Sequence, residues 1–173
     1  MKDENPMQKI RIDSVTLNIG AGIEPENVER AVALLQKISG KKAVKTFAKA
    51  RIPTWKIRPG LPIGARVTLR GKEAYELLKK LLAAVDFKLS KKSFVSNTFS
   101  FGIKEYVDIP GIKYDSKIGM AGLDVCVALK RAGFRIAKRK IKKAKIGTKH
   151  KITSDEAFAW AQAEFGVKPR EEP

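Results

Sequence analysis

Four stretches of this chain alternate between apolar residues and others, and that pattern restricts the fold to one built on a sheet. The stretches are Arg11–Ile19, Ile63–Arg70, Thr98–Ile103 and Leu123–Leu129. Because successive side chains of a strand point to opposite faces, each stretch predicts a strand with one buried face. A fifth strand is predicted over Ala43–Ala48. The sequence therefore predicts a sheet that needs a cover on one side only.

Three further stretches repeat their apolar residues with the spacing of a helix. The first covers 25–39, between a proline that suits a helix start and a glycine that suits a helix stop, and the second covers 73–85. The third begins at a capping box of Thr153 and Glu156 and ends at Phe165. Strands and helices do not alternate regularly. We therefore predict an α+β fold, a mostly antiparallel sheet of about five strands with the helices packed on one face.

The face of the sheet that turns away from the helices is predicted to be polar and to bind RNA. Arg66, Thr68 and Arg70 recur at every second position, and Thr16 and Asn18 do the same on another strand. Arginine offers paired donors to phosphate, while threonine and asparagine bind sugar hydroxyls and base edges. A flat polar sheet suits RNA because the deep major groove of an RNA helix is closed to side chains. The alternative is an ordinary hydrated sheet face.

Basic residues are concentrated in two long stretches that contain no acidic residue. The chain carries 36 Lys and Arg against 18 Asp and Glu, a formal net charge of +18. Residues 30–72 hold 12 of the basic side chains, and residues 125–154 hold 11. Segregated positive charge repels itself, whereas solubility alone favours mixed signs, so we expect a polyanionic partner. A nucleic acid fits better than an anionic membrane, because neither stretch has the pattern of a long amphipathic helix.

Two segments within these basic stretches are predicted to project from the sheet. Residues 53–63 are too rich in proline and glycine for regular structure, and we interpret them as a long exposed loop. This loop holds Trp55, Lys56 and Arg58, of which the tryptophan could stack on nucleic acid, contact a partner or anchor the loop. Residues 130–151 are interpreted as a basic arm.

Several other functional classes are excluded or disfavoured. With one cysteine and one histidine, the chain cannot build a disulfide scaffold or a four-ligand zinc site, and we predict neither metal nor cofactor. The glycines within 20–22 do not continue into a dinucleotide-binding motif, because Pro25 stands where the third glycine is needed. No apolar run exceeds about five residues, and residues 1–6 lack the apolar stretch of a secretory signal. We therefore expect a cytoplasmic protein with no membrane span.

Four individual residues have competing interpretations. Phe99 and Phe101 could stack on bases, but they share a strand face with Ile103, which favours core packing. Cys126 lies within an alternating apolar strand, which favours a small buried residue. His150 lies between two lysines, and a contact with phosphate or ribose is favoured over catalysis because no nucleophile motif accompanies it.

A series of short motifs resembles one protein family. In chain order the motifs are TLNIGAG at 16–22, TFAKAR at 46–51, IRPGLPIG at 57–64, VTLRG at 67–71, FGI at 101–103, IKYD at 112–115 and GLD at 122–124. In this order and over nearly the whole chain, they resemble the universal large-subunit ribosomal proteins called L5 in bacteria. The arm, with GFRIA at 133–137 and IGTKH at 146–150, resembles the archaeal and eukaryotic branch, called L-eleven in eukaryotes. The compact form resembles archaeal members.

The resemblance implies a structural, RNA-binding role without catalysis. Members of the family bind 5S rRNA and help attach it to 23S rRNA in the central protuberance, beside neighbouring ribosomal proteins. Their Pro/Gly loop approaches the P-site tRNA, and another surface contributes to a bridge with a small-subunit head protein. We therefore expect residues 1–173 to form a single 5S-rRNA-binding domain of the ribosome, including the exposed loop 53–63 and the basic arm 130–151.

The resemblance and the charge pattern together predict three groups of contact residues. Asn18 and Thr68 match family positions that contact 5S rRNA, and Lys41 stands where bacterial members carry glutamine. The complete predicted 5S rRNA set is Asn18, Lys41, Lys45, Lys49, Arg51, Arg66, Thr68 and Arg70. The predicted tRNA-contact residues of the loop are Trp55, Lys56 and Arg58. The predicted additional rRNA contacts of the arm are Arg135, Lys138, Arg139, Lys142, Lys149 and His150.

Two alternative functions are compatible with the same residues. An architectural DNA-binding protein would also carry segregated positive charge, and competition between duplex DNA and 5S rRNA would separate the two functions. An RNA-processing enzyme that used a carboxylate pair would turn over labelled RNA, and it would lose that activity when Glu105 or Asp108 is changed.

Overall fold

The five predicted strands form the greater part of a six-stranded sheet in a computed structural model that describes residues 5–170. The strands are β1 Arg11–Gly20, β2 Val44–Phe47, β3 Pro62–Leu69, β4 Lys88–Leu89, β5 Phe94–Val95, β6 Thr98–Ile103, β7 Leu123–Lys130 and β8 Lys168–Pro169. The helices are α1 Pro25–Ser39, α2 Lys72–Ala83, α3 Arg135–Lys138 and α4 Ser154–Phe165. The α+β prediction is confirmed.

Strand β1 lies inside the main sheet, whose spatial order is β2-β3-β1-β7-β6-β5. Every neighbouring pair in this sheet is antiparallel. The prediction of a mostly antiparallel sheet is therefore confirmed, with one strand more than the five expected. The additional strand, β5, has two residues and pairs with β6. Strands β4 and β8 form a separate parallel pair that the sequence did not predict.

One face of the main sheet packs against the helices and forms the core. Leu17 of β1 and Val125 of β7 are fully buried, as are Leu34 of α1 and Leu78 of α2. Phe99 and Phe101 are also buried in this core, which confirms the expectation of core packing for both. Burial of these apolar side chains supplies the main driving force for folding and leaves the opposite sheet face open.

Local signals in the sequence set the helix ends. Helix α1 begins at Pro25 and is followed by Gly40, whose φ of 64° lies in the left-handed region that glycine adopts without strain. The capping box of α4 is present, because the Glu156 amide donates to Thr153 Oγ1 at 3.3 Å and the Thr153 amide donates to Glu156 Oε2 at 3.0 Å. Helix α2 ends at Ala83, two residues earlier than predicted.

The Pro/Gly loop contains more regular structure than predicted. Pro53–Trp55 forms a 3-10 turn, Ile52 and Ile57 pair across it as an isolated bridge, and β3 already begins at Pro62. Proline fixes the backbone angle that tight turns need, so these residues shape the loop and do not prevent hydrogen bonding. The expectation of a loop without regular structure is wrong, whereas its exposure is confirmed for all three predicted contact residues.

No helix of the described chain is long and apolar enough to cross a membrane. Within residues 5–170, no group of three or more His, Cys, Asp or Glu side chains is arranged to hold a metal ion. The first four residues, on which part of the signal-peptide expectation depends, lie outside the described range.

Candidate nucleic-acid interface

The predicted polar face exists, and the strand register brings its side chains together. Thr16 lies opposite Thr68 and Asn18 lies opposite Arg66 across the β1–β3 pair. The hydroxyl oxygens of the two threonines are 3.3 Å apart, so both side chains lie on the same face of the sheet. Arg66 is exposed and makes no ion pair with any described residue. The centre of this face therefore offers hydroxyl, amide and guanidinium groups to a ligand.

Beyond β3, the polar face continues as an open depression with a cationic rim. Lys41, Lys42 and Val44 line it on one side, and Arg66, Thr68 and Arg70 line it on the other. Lys41 Nζ lies 2.9 Å from Glu73 Oε1, and both side chains remain more than half exposed. An exposed ion pair of this kind is weak, so Lys41 can exchange its carboxylate partner for a phosphate at small cost.

Lys45, by contrast, does not belong to this face. It lies opposite Ala65 on β3, whereas its neighbour Val44 lies opposite Arg66. Ala65 is buried on the helix side of the sheet, and Lys45 Nζ lies 3.5 Å from Glu29 Oε1 of α1. The structure therefore separates Lys45 from the other predicted 5S rRNA contacts. Among the other predicted 5S rRNA contacts, Lys49 and Arg51 are exposed in the segment that follows β2.

The predicted tRNA-contact loop presents its three side chains to solvent. Trp55 is 62% exposed, so burial does not anchor the loop through this residue. Lys56 has a φ of 54°, in the left-handed region, and closes the turn by donating its amide to the Pro53 carbonyl at 3.0 Å. Arg58 is exposed one residue after the Ile52–Ile57 bridge. The loop thus holds an aromatic ring and two cations on a closed turn.

The basic arm is closed at its base by contacts between its two ends. The guanidinium of Arg131 is buried, donating to the carbonyls of His150 and Lys151 at 3.4 and 3.2 Å and lying 3.1 Å from Glu156. The His150 ring lies against Phe134, with ring centres 5.7 Å apart, and its Nε2 is 2.8 Å from the Ala132 carbonyl oxygen. His150 therefore holds the arm together, and a role for it in RNA contact stays a prediction.

The other predicted arm contacts are exposed on α3 and the segment that follows it. These residues are Arg135, Lys138, Arg139, Lys142 and Lys149. Arg139 Nε donates to the Lys142 carbonyl at 2.7 Å, which folds the segment back on itself. The Ala144 amide donates to the Ile136 carbonyl at 3.3 Å, which reinforces the fold-back. Beyond its base, the arm is therefore a compact loop with most of its cations exposed.

A buried carboxylate that the sequence reasoning missed lies where the arm meets the sheet. Asp13 is 8% exposed, and three cations surround it: Lys130 Nζ at 3.0 Å, Arg70 Nη1 at 3.4 Å, and Lys138 Nζ. We call these four residues the Asp13 cluster. Burial raises the pKa of Asp13, but hydrogen bonds from Lys138 and Lys130 and their charges outweigh that effect, so the pKa lies below its usual value.

A register shift in β1 creates the position of Asp13. Ile12 lies opposite Leu129 and Ser14 lies opposite Ala128, so Asp13 is an extra residue without a partner on β7. A bulge of this kind redirects a side chain and reverses the alternation beyond it. Accordingly, Ile12 packs against the core, although strict alternation from Val15 would place it on the polar face. The sequence signal of this bulge was Ile12, an apolar residue at a position where the alternation predicts a polar one.

Cys126 lies on the polar face and is exposed, so the expectation of a small buried residue is wrong. It lies opposite Thr16 on β1 and opposite Ser100 on β6, both of which face away from the core. Partial desolvation, followed by the charge of Asp124, raises the pKa of the Cys126 thiol. The alternation of β7 was sufficient to predict that the Cys126 side chain points away from the core, because its strand neighbours Val125 and Val127 are core residues.

Two family models match successive parts of the chain. The model described as ribosomal protein L5 matches residues 5–58, and the model described as the C-terminus of the same ribosomal family matches residues 62–160. The chain belongs to the ribosomal protein L5 family. Strands β1 and β2 come from the first matched part and strands β3, β5, β6 and β7 from the second, and β1 lies between β3 and β7. The two matched parts of this L5 protein therefore build one sheet.

Relatives from three archaea are similar to this L5 protein over nearly their whole length. The large ribosomal subunit protein uL5 of Nanoarchaeum equitans is 52% identical, covering 95% of this chain and 98% of the relative. The proteins of the same name from Sulfurisphaera tokodaii and Archaeoglobus fulgidus are 46% and 43% identical, covering 94% and 93% of this chain and 93% and 90% of the relatives. The resemblance to archaeal members is confirmed. The family comprises structural ribosomal proteins and is not a class of enzymes.

Proposed function

We propose that this L5 protein is a structural constituent of the large ribosomal subunit that binds 5S rRNA and helps attach it to 23S rRNA. The observation that carries the proposal is the polar face of the main sheet. Asn18 and Arg66 lie side by side on this face, next to the paired hydroxyls of Thr16 and Thr68. A flat surface with these donors and acceptors suits the wide, shallow minor groove of an RNA helix.

The proposed mechanism divides the work between neutral and cationic groups. The threonine hydroxyls and the Asn18 amide bind ribose hydroxyls and base edges, which distinguishes RNA from DNA. Arg66, Lys41 and Lys42 along the open depression bind backbone phosphates and release their counterions, which supplies most of the affinity. This division favours RNA over the alternative of an architectural DNA-binding protein, because a DNA backbone lacks the 2′-hydroxyl.

The loop and the arm extend the proposed contacts beyond 5S rRNA. The exposed Trp55 ring, with Lys56 and Arg58, forms a turn suited to stacking and phosphate contact with P-site tRNA. The outward cations of the arm are proposed to contact rRNA. A further surface is proposed to contribute to the bridge to a small-subunit head protein, beside neighbouring proteins of the central protuberance. Because both matched parts of the chain share one sheet, we propose that residues 1–173 act as a single domain.

The central test changes one cation of the polar face and compares it with a cation on the helix side. Arg66→Ala should lower the affinity for 5S rRNA by roughly tenfold, because a direct phosphate or base contact is lost. Arg30→Ala is the matched control, since Arg30 is an exposed arginine of α1 that is paired with Glu26 on the same helix. Filter binding at fixed salt measures both. Equal losses in the two variants would contradict a specific site on the sheet.

A further inference from the structure

The Asp13 cluster joins two surfaces that the sequence predicted separately. Arg70 belongs to the predicted 5S rRNA face, and Lys138 belongs to the predicted additional rRNA contacts of the arm. Both side chains reach the carboxylate of Asp13, and Lys130 at the end of β7 reaches it between them. We propose that Asp13 is a positioning residue that assembles these three cations into one receptor for RNA backbone phosphate. This inference rests on the proposed function and locates a phosphate site within it.

The exposure of the four side chains supports a receptor over a purely internal ion pair. The Asp13 side chain is 9% exposed, while those of Arg70, Lys130 and Lys138 are 63%, 45% and 69% exposed. Each cation therefore contacts the carboxylate on one side and keeps its other donors in solvent. An ammonium group has three donors and a guanidinium has five, so the cluster retains donors for further oxygen atoms.

The charges of the cluster also favour an anionic ligand. Three cations around one carboxylate leave a formal excess of two positive charges in a small area. Without Asp13, the like charges would repel one another and the long side chains would separate. The carboxylate offsets that repulsion and fixes the cations before RNA arrives, so that binding requires less ordering of side chains. A phosphate group, with its non-bridging oxygens, matches both the excess charge and the free donors.

The Asp13 cluster lies where the polar face of the sheet meets the arm. Arg70 continues the row of Arg66 and Thr68 on the polar face, and Lys138 is the last residue of α3 in the arm. An RNA backbone that leaves the sheet on the Arg70 side therefore meets the arm at this site. The sheet and the arm would then bind one continuous stretch of RNA and not two independent ones.

The test separates the proposed role of Asp13 from the effect of net charge, because the two predict opposite changes in RNA affinity. Asp13→Asn removes one negative charge, which by overall electrostatics should strengthen RNA binding. We expect the variant to bind 5S rRNA roughly fivefold more weakly at 150 mM salt, and its salt dependence to correspond to about one phosphate contact fewer. Glu76→Gln is the matched control, because Glu76 is an exposed acid on α2, on the covered side of the sheet, and it should bind unchanged or slightly more tightly.

Binding of Asp13→Asn as tight as that of Glu76→Gln, with the same salt dependence, would overturn the inference while leaving the proposed function standing. If the unaltered protein failed to prefer 5S rRNA over a scrambled RNA of equal length, the proposed function itself would fail. Should Asp13→Asn not fold, Lys138→Gln is compared with Lys145→Gln, because both remove one exposed arm cation. The first should lose several times more affinity than the second, and equal losses would overturn the inference.

Discussion

The two acid-free stretches have similar charge in the sequence but use it differently in the structure. In residues 30–72, exposed ion pairs at the surface involve Arg30, Lys37, Lys41 and Lys45, and Arg70 reaches the buried Asp13. In residues 125–154 the structure closes a loop by burying one cation, Arg131, and by docking Lys130 and Lys138 on Asp13. Because Arg131 is buried, a count of charges overstates the number of cations that are available to RNA.

This difference distinguishes cations that stabilise the folded protein from cations that remain available to a ligand. Arg131 is a structural arginine, because its guanidinium satisfies two carbonyls and pairs with Glu156 at the start of α4. Arg66 is the opposite case, since it is exposed on the polar face between groups that suit RNA. Substitution of a buried cation such as Arg131 should therefore affect the stability of the free protein, whereas substitution of an exposed cation such as Arg66 should affect RNA binding.

The largest effect is expected from the buried cation of the second stretch. Arg131→Ala should lower the free energy of unfolding by about 3 kcal/mol, because it removes the donor to two carbonyls and to Glu156 Oε1 and opens a void at the base of the arm. Urea denaturation of the free protein measures the loss. Arg135→Ala, at an exposed arm arginine, is the control and should cost less than about 0.5 kcal/mol. Similar losses in both variants would remove the distinction between buried and exposed cations.

The junction between the stretches should make stability depend on pH. The pKa of Asp13 is lowered in the folded protein, so its ionised form stabilises the fold above the unfolded-state pKa of about 3.9. That contribution is lost as the pH falls through the folded-state pKa. Asparagine resembles the neutral acid in shape, so Asp13→Asn should be less stable than the unaltered protein by about 2 kcal/mol at pH 7.

The two proteins should then converge in stability as the pH falls below the unfolded-state pKa and through the lowered folded-state pKa of Asp13. Urea midpoints at several pH values between 7 and 2.5 measure this convergence. Glu156 also has a lowered pKa, because it accepts from the Thr153 amide and, despite partial burial, pairs with Arg131. Glu156 is present in both proteins, so its titration cancels in the comparison. A difference in stability that stayed constant over the whole range would show that the charge of Asp13 does not matter.

The sequence predicted most of the fold because long alternating strands and capped helices carry strong local signals. Strands β1, β3, β6 and β7 were all placed within one residue at each end, and Thr98–Ile103 was placed without error. Strands of two residues, such as β4, β5 and β8, have no measurable period, and only tertiary pairing defines them. The bulge at Asp13 was visible as a break in the alternation, but its three cations come from residues 57 to 125 positions away.

The candidate site was predicted less completely, and Lys45 shows why. Strand β2 has exposed apolar side chains at both Val44 and Phe47, so its residues give no clear buried face. The direction of the Lys45 side chain is set by its pairing with Ala65, which depends on tertiary structure and not on the local sequence. The polar face of β1 and β3, in contrast, was predicted from the strong alternation of both strands. Only the register between the two strands, which decides which side chains lie opposite each other, had to come from the structure.

The smallest effect concerns two lysines that lie four residues apart in the first stretch. Lys49 is exposed beyond β2 and pairs with no acid among the described residues, whereas Lys45 is paired with Glu29 on the helix side. Lys49→Gln should reduce the slope of log affinity for 5S rRNA against log salt by about one, a change of a few fold in affinity. Lys45→Gln should leave that slope unchanged, although it removes the same charge. Filter binding between 50 and 300 mM salt separates the two, and a reduced slope in Lys45→Gln would mean that charge alone, and not the face on which it lies, determines binding.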